Sequence, residues 1–497
     1  MADASAGDAT IRGPHDIAGA RCALTQARLG WLGQRATDVI PLLQLTNLDL
    51  IVTCEGGEDA AWLARQAGAA LVALEHRERV RRVWSNASLD LLAGLDWMDN
   101  AAHQARRTDE QTLSLVAYCA TPRWEARAHQ PASKVRLLAP PASLKHLLDD
   151  KWAFRAQMAA QGLPVIPSGQ VSRALLVFDQ LATRFGAPFV AQTPFSSAGL
   201  GTFIIHTPDD LSDALAQAPT VADWLISRYM GTTTFNVNAL VLADRVWIAP
   251  PSVQLTGIHE LADGAGIYCG NDYGAMNAFP ASVVAQITAQ TRCIGAWLAQ
   301  QGFIGAFGVD FIFNGMDVYP LELNPRFQGS TGLLGQWELA NGQVPLIVLH
   351  ALAWLGYRLD LPCDDATPST LAVGSQAIVH LLRSDAKRIA AALPPGVYTL
   401  DATGAPHFLR VGQSVMDCRA GEYILAGAPQ PGAGIELGAV IVRVLARERL
   451  AQPSGRALTS WGARVVAGVR RAALAVGAIP LPTLNGEARR GDIGGMV

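Results

Sequence analysis

The chain is sparing with charge. Only 16% of its 497 residues are Asp, Glu, Lys or Arg, and they sum to a formal net charge of −3. With so little imbalance, no attraction to nucleic acid or to an anionic membrane surface is expected. Long apolar runs are missing too, since none approaches the roughly 18 residues that span a bilayer. The opening residues are polar and lack the apolar core of a secretion signal. Seven cysteines, at positions 22, 54, 119, 269, 293, 363 and 418, are scattered, odd in number and free of any CxxC pair. They read as reduced core residues of a cytoplasmic protein, not as disulfides or zinc ligands. The ten histidines show no HExxH spacing, which removes the usual helical zinc site. There is also no GxGxxG, so no dinucleotide is assigned to the N-terminal part.

What is present is core material. Half the residues are hydrophobic, enough to fill roughly three domains at the usual one to two hundred residues each. Residues 1–18 read as a disordered N-terminus. Residues 19–140 alternate apolar strand candidates (48–52, 69–74, 112–119) with an Ala-rich helical stretch at 58–67, an open α/β rhythm. The segment 121–134 reads as polar and irregular. From 141 to 360 the pattern is mixed, with helices at 149–161, 174–185 and 281–301. Two strands, 188–192 and 203–206, bracket a Gly/Ser-rich loop, and residues 165–230 read as a lid. Residues 250–274 read as a long polar, Gly-rich loop of the kind that is often functional. After 361 the texture becomes short strands separated by Gly and Pro, a small α+β domain ending near 475. The tail, 476–497, is Gly-rich and expected to be flexible. The fold class is therefore multidomain, α/β and α+β.

The chemistry concentrates in residues 303–332. Asn314 and Gly315 are a strong hairpin signal between two apolar-rich stretches. Asp310 lies on the first strand; Glu322 and Asn324 lie on the second, two apart and so on one face. Two carboxylates and an amide oxygen form a hard, oxygen-only set suited to Mg²⁺ shared with phosphates. Arg326 follows two residues on and can reach the same cleft. Gln328, Ser330 and Thr331 come next and are candidate substrate contacts, as are Gln254, His259 and Glu260 in the 250–274 loop.

Taken in order, these elements resemble the ATP-grasp superfamily, whose members include carboxylate–amine ligases. DDKWAFRAQMAAQGLPV resembles the family's lysine-bearing helix and would put Lys151 near ATP phosphates. PFVAQTPFSSAGLGT resembles the phosphate-contacting strand and mobile glycine loop, implicating Gln192, Ser196, Ser197, Ala198 and Gly199. LISRYMGTTTFNVNALV resembles the adenine hinge, implicating Ser227, Arg228, Tyr229, Met230 and Thr234. GVDFIF followed by YPLELNPRFQGSTG resembles the metal strand pair, implying Asp310, Glu322 and Asn324 as ligands and Arg326 as the residue meeting the reacting carboxylate. Two departures stand out. The family usually has Lys where Gln192 stands and Glu where Ser227 and Thr234 stand. Losing the lysine removes a charge-assisted contact worth roughly 1.5–3 kcal/mol.

The resemblance implies an ATP-grasp fold with an N-terminal α/β domain and a small C-terminal α+β domain. It implies an ADP-forming ligase that joins a small-molecule carboxylate to an amine through an acyl phosphate, an amino-acid or peptide ligase being the leading form. ATP and two Mg²⁺ ions would serve it, with Mn²⁺ able to substitute, and Lys151 and Arg326 would be its catalytic cations. Small-molecule acids and amines are the expected partners, without nucleic acid or membrane, and a homodimer is compatible. The alternatives are a biotin-carboxylase-like carboxylase subunit, for which the chain has no AMKM-like biotin turn of its own, and a non-catalytic nucleotide-binding module.

Overall fold

The computed structural model describes residues 10–94, 112–131, 133–194, 201–361, 373–385 and 389–475. The N-terminal part is a five-stranded parallel sheet. Its central strand, Arg28–Gly33, is buried along its whole length and neighbours Leu50–Thr53 and Leu113–Ala117. The helix Glu58–Ala67 begins with two acids, which suits its positive N-terminus, and ends at Gly68 in the left-handed region. Residues 121–134 are not simply irregular, because Pro122–Ala128 is a helix. Its Pro sits at the first helical position and Trp124 is fully buried. Order also begins earlier than residue 18: Thr10–Ile11 pairs in parallel with Arg358–Leu359, and Asp16 caps the helix Ile17–Leu24. Burial of Ile11 against the core supplies the anchor.

The middle of the molecule is an eleven-stranded sheet among the described residues. At one edge the strands Thr233–Val241, Gly305–Phe313 and Val318–Asn324 pair antiparallel, backed by the long helix Ala281–Gln300. A smaller antiparallel sheet stands apart, formed by Ser168–Ser172, Phe189–Gln192, Thr202–Ile205 and Asp223–Arg228. The helices Phe178–Phe185 and Pro208–Gln217 pack on it around a core of its own. Gly231, with φ +117°, turns the chain from this sheet into the central one.

One sequence expectation needs correcting here. Residues 250–274 are not one long loop. They contain the strands Ser252–Thr256 and Tyr268–Asp272, which pair with each other and sit inside the central sheet. Their buried Val253, Leu255 and Cys269 drive this, although polar neighbours mask the pattern. The C-terminal part joins the central sheet. Its strands Ser375–His380 and Val440–Ala446 continue the same sheet, and Gly434–Ile435 pairs with Val80–Arg81 of the N-terminal part. Arg443 and Glu55 form a buried bidentate ion pair across that junction at 2.6 and 2.7 Å. Among the described residues no helix is long and apolar enough to cross a membrane. Cys22, Cys54, Cys119, Cys269, Cys293 and Cys418 are free thiols; residues 1–9, Cys363 and the expected tail at 476–497 lie outside the described residues.

Candidate active site

A cavity of about 400 Å³ opens between the small sheet, the central sheet and the N-terminal part. Its chemistry is organised by the hairpin of the central sheet. Asn314 shapes the turn, its side-chain oxygen accepting from the backbone of Met316 and Asp317, and Gly315 takes φ +101°. That turn sets Asp310 directly opposite Glu322, with a bulge just after Asp310.

Asp310 is held by amides. Asn236 Nδ2 donates to its Oδ1 at 2.7 Å, Gln328 Nε2 to the same oxygen at 3.3 Å, and Asn324 Nδ2 to Oδ2 at 3.4 Å. A relay stands behind them. Ser330 Oγ donates to Asn236 Oδ1, Asn238 Nδ2 to Ser330 Oγ, and Thr331 Oγ1 to Asn238 Oδ1. Asn236 and Asn238 share one face of their strand and lie opposite Asp310 and Gly308. A side chain at Gly308 would collide with Gln328 at about 2 Å, so glycine there makes room for the Gln328 amide.

Burial pushes both carboxyls above their ordinary range. For Asp310, donation from Asn236 and Gln254 and the charge of Arg326 pull the other way. For Glu322, Lys151 opposes burial while Asp310 adds to it. Lys151 Nζ stands 3.6 Å from Glu322 Oε1, and the Glu322 side chain keeps 26% exposure. Two carboxyls facing each other at a half-buried wall would be relieved by a cation. Among the described residues no cluster of three His, Cys, Asp or Glu that could hold a metal exists; a further oxygen is that of the Asn324 amide, which accepts from Arg326. Two carboxylates and an amide, all oxygen donors, fit Mg²⁺ and not zinc.

Arg326 is fixed on three sides. Its Nη2 donates to Asn324 Oδ1 at 2.7 Å, its Nη1 to Phe327 O at 2.9 Å and to the Tyr118 hydroxyl at 3.1 Å. The guanidinium also stacks 5.5 Å over the Tyr118 ring. Tyr118 belongs to the N-terminal part, so that part positions the arginine.

The other sequence candidates divide. Gln192, Ser227, Arg228, Tyr229, Met230, Thr234, Gln254, Gln328 and Ser330 line the cavity. Ile166, Val190, Ile204, Ile312 and Leu321 add apolar lining; Val190 is the cross-strand partner of Ser227 and Ile312 that of Thr234. Lys151 is 3% exposed and off the cavity wall, engaged with Glu322. Thr331 acts through the amide relay. His259 and Glu260 are not brought in: the His259 side chain is 91% exposed and its Nδ1 meets Glu260 at 3.0 Å. Of the connection between the strands 252–256 and 268–272, Ala265 and Gly266 line the cavity, whereas His259 and Glu260 do not. Ser196, Ser197, Ala198 and Gly199 lie outside the described residues; the base of their loop is closed by the Thr193 N–H donating to Gly201 O at 3.0 Å.

Several lining residues escaped the sequence reading. Tyr118, Asn236, Arg155 and Tyr268 line the cavity or hold its charged groups. Asn236 and Asn238 had a signal, their spacing of two in FNVN. Arg155 had one as well, four residues after Lys151 and so on the same helix face.

Residues 149–330 match the family of ATP-grasp domains. In sequence the chain is 26% identical over 245 residues to the carbamoyl phosphate synthase large chain of Thermus thermophilus, covering 47% of this chain and 22% of that one. The large chain of Methanospirillum hungatei is 24% identical over 246 residues, covering 48% and 22%. The chain thus spans under a quarter of the length of the curated relatives it matches. Among solved structures, the biotin carboxylase domain dimer of Hydrogenobacter thermophilus 2-oxoglutarate carboxylase, in complex with MgADP, ADP and bicarbonate, is similar with a TM-score of 0.56. It is 12% identical, with 85% of this chain and 86% of that one covered. Campylobacter jejuni biotin carboxylase, in a β,γ-ATP complex, gives a TM-score of 0.52 at 14% identity, with 85% and 87% covered. At these identities the likeness is one of fold.

Proposed function

We propose, on the premise that residues 149–330 are an ATP-grasp domain, that this enzyme is an ATP-dependent, ADP-forming ligase joining a small-molecule carboxylate to an amine. The observation that carries the reading is that Asp310, Glu322, Asn324 and Arg326 line one cavity together with residues 227–230 and the apolar Ile166, Val190, Ile204 and Ile312. That apolar lining suits a nucleobase, with backbone groups of the hinge beside it. Asp310, Glu322 and Asn324 would hold Mg²⁺, two ions in the full site, with Mn²⁺ able to replace them. When bound, Mg²⁺ would neutralise charge on the terminal phosphates during transfer.

The residues of the chain do the rest. Asn236, Gln328 and the relay behind them keep Asp310 oriented, so no reorganisation is needed as charge moves. Arg326 receives the substrate carboxylate. A carboxylate oxygen attacks the γ-phosphorus, the bond to the β-phosphate oxygen breaks, and ADP leaves. The amine then attacks the acyl carbon, phosphate departs, and the nitrogen gives up a proton to leave an amide. Arg326 faces the tetrahedral oxyanion of that second step.

Hydroxylamine tests this without knowledge of the natural amine, since it intercepts acyl phosphates as hydroxamates. The protein incubated with ATP, Mg²⁺, hydroxylamine and pooled amino and carboxylic acids should yield one dominant hydroxamate with an equal amount of ADP. ADP formed with no hydroxamate from any acid that stimulates it would refute the acyl-phosphate route.

A further inference from the structure

The cavity wall contains a buried cation beside Gln192. Arg155, on the helix Lys151–Ala160, is 3% exposed, yet it lines the cavity. Its Nη2 donates to Gln192 Oε1 at 2.9 Å. Gln192 in turn donates from Nε2 to Thr202 Oγ1 at 3.0 Å, so its oxygen is turned toward the arginine. The Nε and Nη1 of Arg155 are buried and have no hydrogen-bond partner among the described residues. Buried guanidinium donors left unmet are costly, and such groups are kept where a ligand meets them.

We propose that Arg155 is the phosphate-binding cation of this cavity, the positive charge having moved from the lid strand at Gln192 to the helix face beside it. This rests on the reading that the cavity takes ATP. Gln192 is then a positioning residue: its amide oxygen holds one arm of the fork and leaves two N–H groups for phosphate oxygens. Lys151, one turn earlier on the same face, is engaged by Glu322 and belongs to the metal side. Burial lowers the Arg155 pKa to about 10, with the Glu322 charge opposing, so the group stays charged at neutral pH. A lysine at 192 would not repair a deficit. It would set an ammonium against a buried guanidinium.

Calorimetry on the full chain with Mg²⁺ and ATP, ADP or adenosine decides the matter. Arg155→Gln should weaken ATP and ADP binding by about ten- to a hundredfold, the worth of one charge-assisted contact, and leave adenosine unchanged. Gln192→Lys alone should also weaken ATP. The double variant Arg155→Gln with Gln192→Lys should regain most of the affinity, because the charge is relocated and not duplicated. Arg155→Lys, which keeps the charge without the fork, should lose less than Arg155→Gln, and it carries the test should thermal melting show that Arg155→Gln does not fold. Wild-type ATP affinity in both Arg155 variants, an equal loss for adenosine, or tighter ATP binding by Gln192→Lys alone would overturn the proposal. Failure of the wild-type protein to bind either ATP or ADP would strike the nucleotide reading itself.

Discussion

Asp310 and Glu322 face each other across the antiparallel strands Gly305–Phe313 and Val318–Asn324, and burial pushes both carboxyls upward. The Asp310 charge adds to the upward push on Glu322, an effect that a bound divalent cation would relieve. Asp310→Ala and Glu322→Gln should each reduce ATP turnover by more than the roughly 10–100-fold that loss of an outer contact to a metal ligand costs. Circular dichroism should remain native. Near-native ADP production at saturating Mg²⁺ in either variant would remove the metal assignment.

Arg326 is braced by Asn324, the Phe327 carbonyl and Tyr118, which fixes its guanidinium relative to the Asp310–Glu322 pair. Arg326→Ala should keep ATP affinity within a few-fold while product formation falls by about 10²–10³, the usual loss for one oxyanion donor. Arg326→Lys should recover part of this, because an ammonium lacks the planar fork. Parallel calorimetry and product assays check it; equal losses in both would place Arg326 on the nucleotide.

The Arg443–Glu55 pair ties a C-terminal strand to the N-terminal part, and the two side chains are only 6% and 7% exposed. Burial alone would raise the Glu55 pKa, but Arg443 and Arg81 outweigh it and hold the carboxyl below its ordinary range. Arg443→Met should destabilise the fold, by less than the roughly 3–5 kcal/mol of a fully stranded buried charge because Arg81 remains 3.7 Å from Glu55. Adding Glu55→Gln should return part of the loss. Urea unfolding of the single and double variants is the measurement, and an unaltered midpoint in the single variant would contradict the assigned coupling.

His350 bridges two parts of the fold. Its Nδ1 accepts from the Ala306 N–H at 2.9 Å and its Nε2 lies 2.9 Å from Leu138 O, so the ring is held neutral. Burial lowers its pKa from 6.5 to about 4, against the pull of the Leu138 carbonyl. In the unfolded chain the ring gains its proton near pH 6.5, in the native chain only near pH 4. The stability that the neutral ring contributes is therefore present above pH 6.5 and lost as pH falls from 6.5 to 4. Melting temperatures across that window should fall more steeply for the wild type than for His350→Gln; parallel profiles would exclude the histidine as a source.

The facing of Asp310 and Glu322 was legible in the sequence because a short turn sets its own register. Asn314–Gly315 leaves little freedom, and the apolar alternation chooses the faces. Partners from afar were not legible. Asn236 reaches Asp310 only because the strand Thr233–Val241 pairs with Gly305–Phe313, and Tyr118 reaches Arg326 from another sheet. His259 and Glu260 misled for a related reason. Polar residues and Gly270, at φ +126°, made two buried five-residue strands look like loop, and a loop leaves its side chains free to reach a cavity. Arg155 was passed over because a charge on an amphipathic helix is normally solvated, and its burial depends on the small sheet lying over it.

The most direct test of the ligase reading is the identity of the nucleotide that ATP becomes. Phosphorus NMR should follow the protein with ATP, Mg²⁺ and pooled acids and amines. ADP and orthophosphate should appear together, in step with an amide product, and both should vanish in Glu322→Gln. AMP and pyrophosphate as the products of turnover would contradict it.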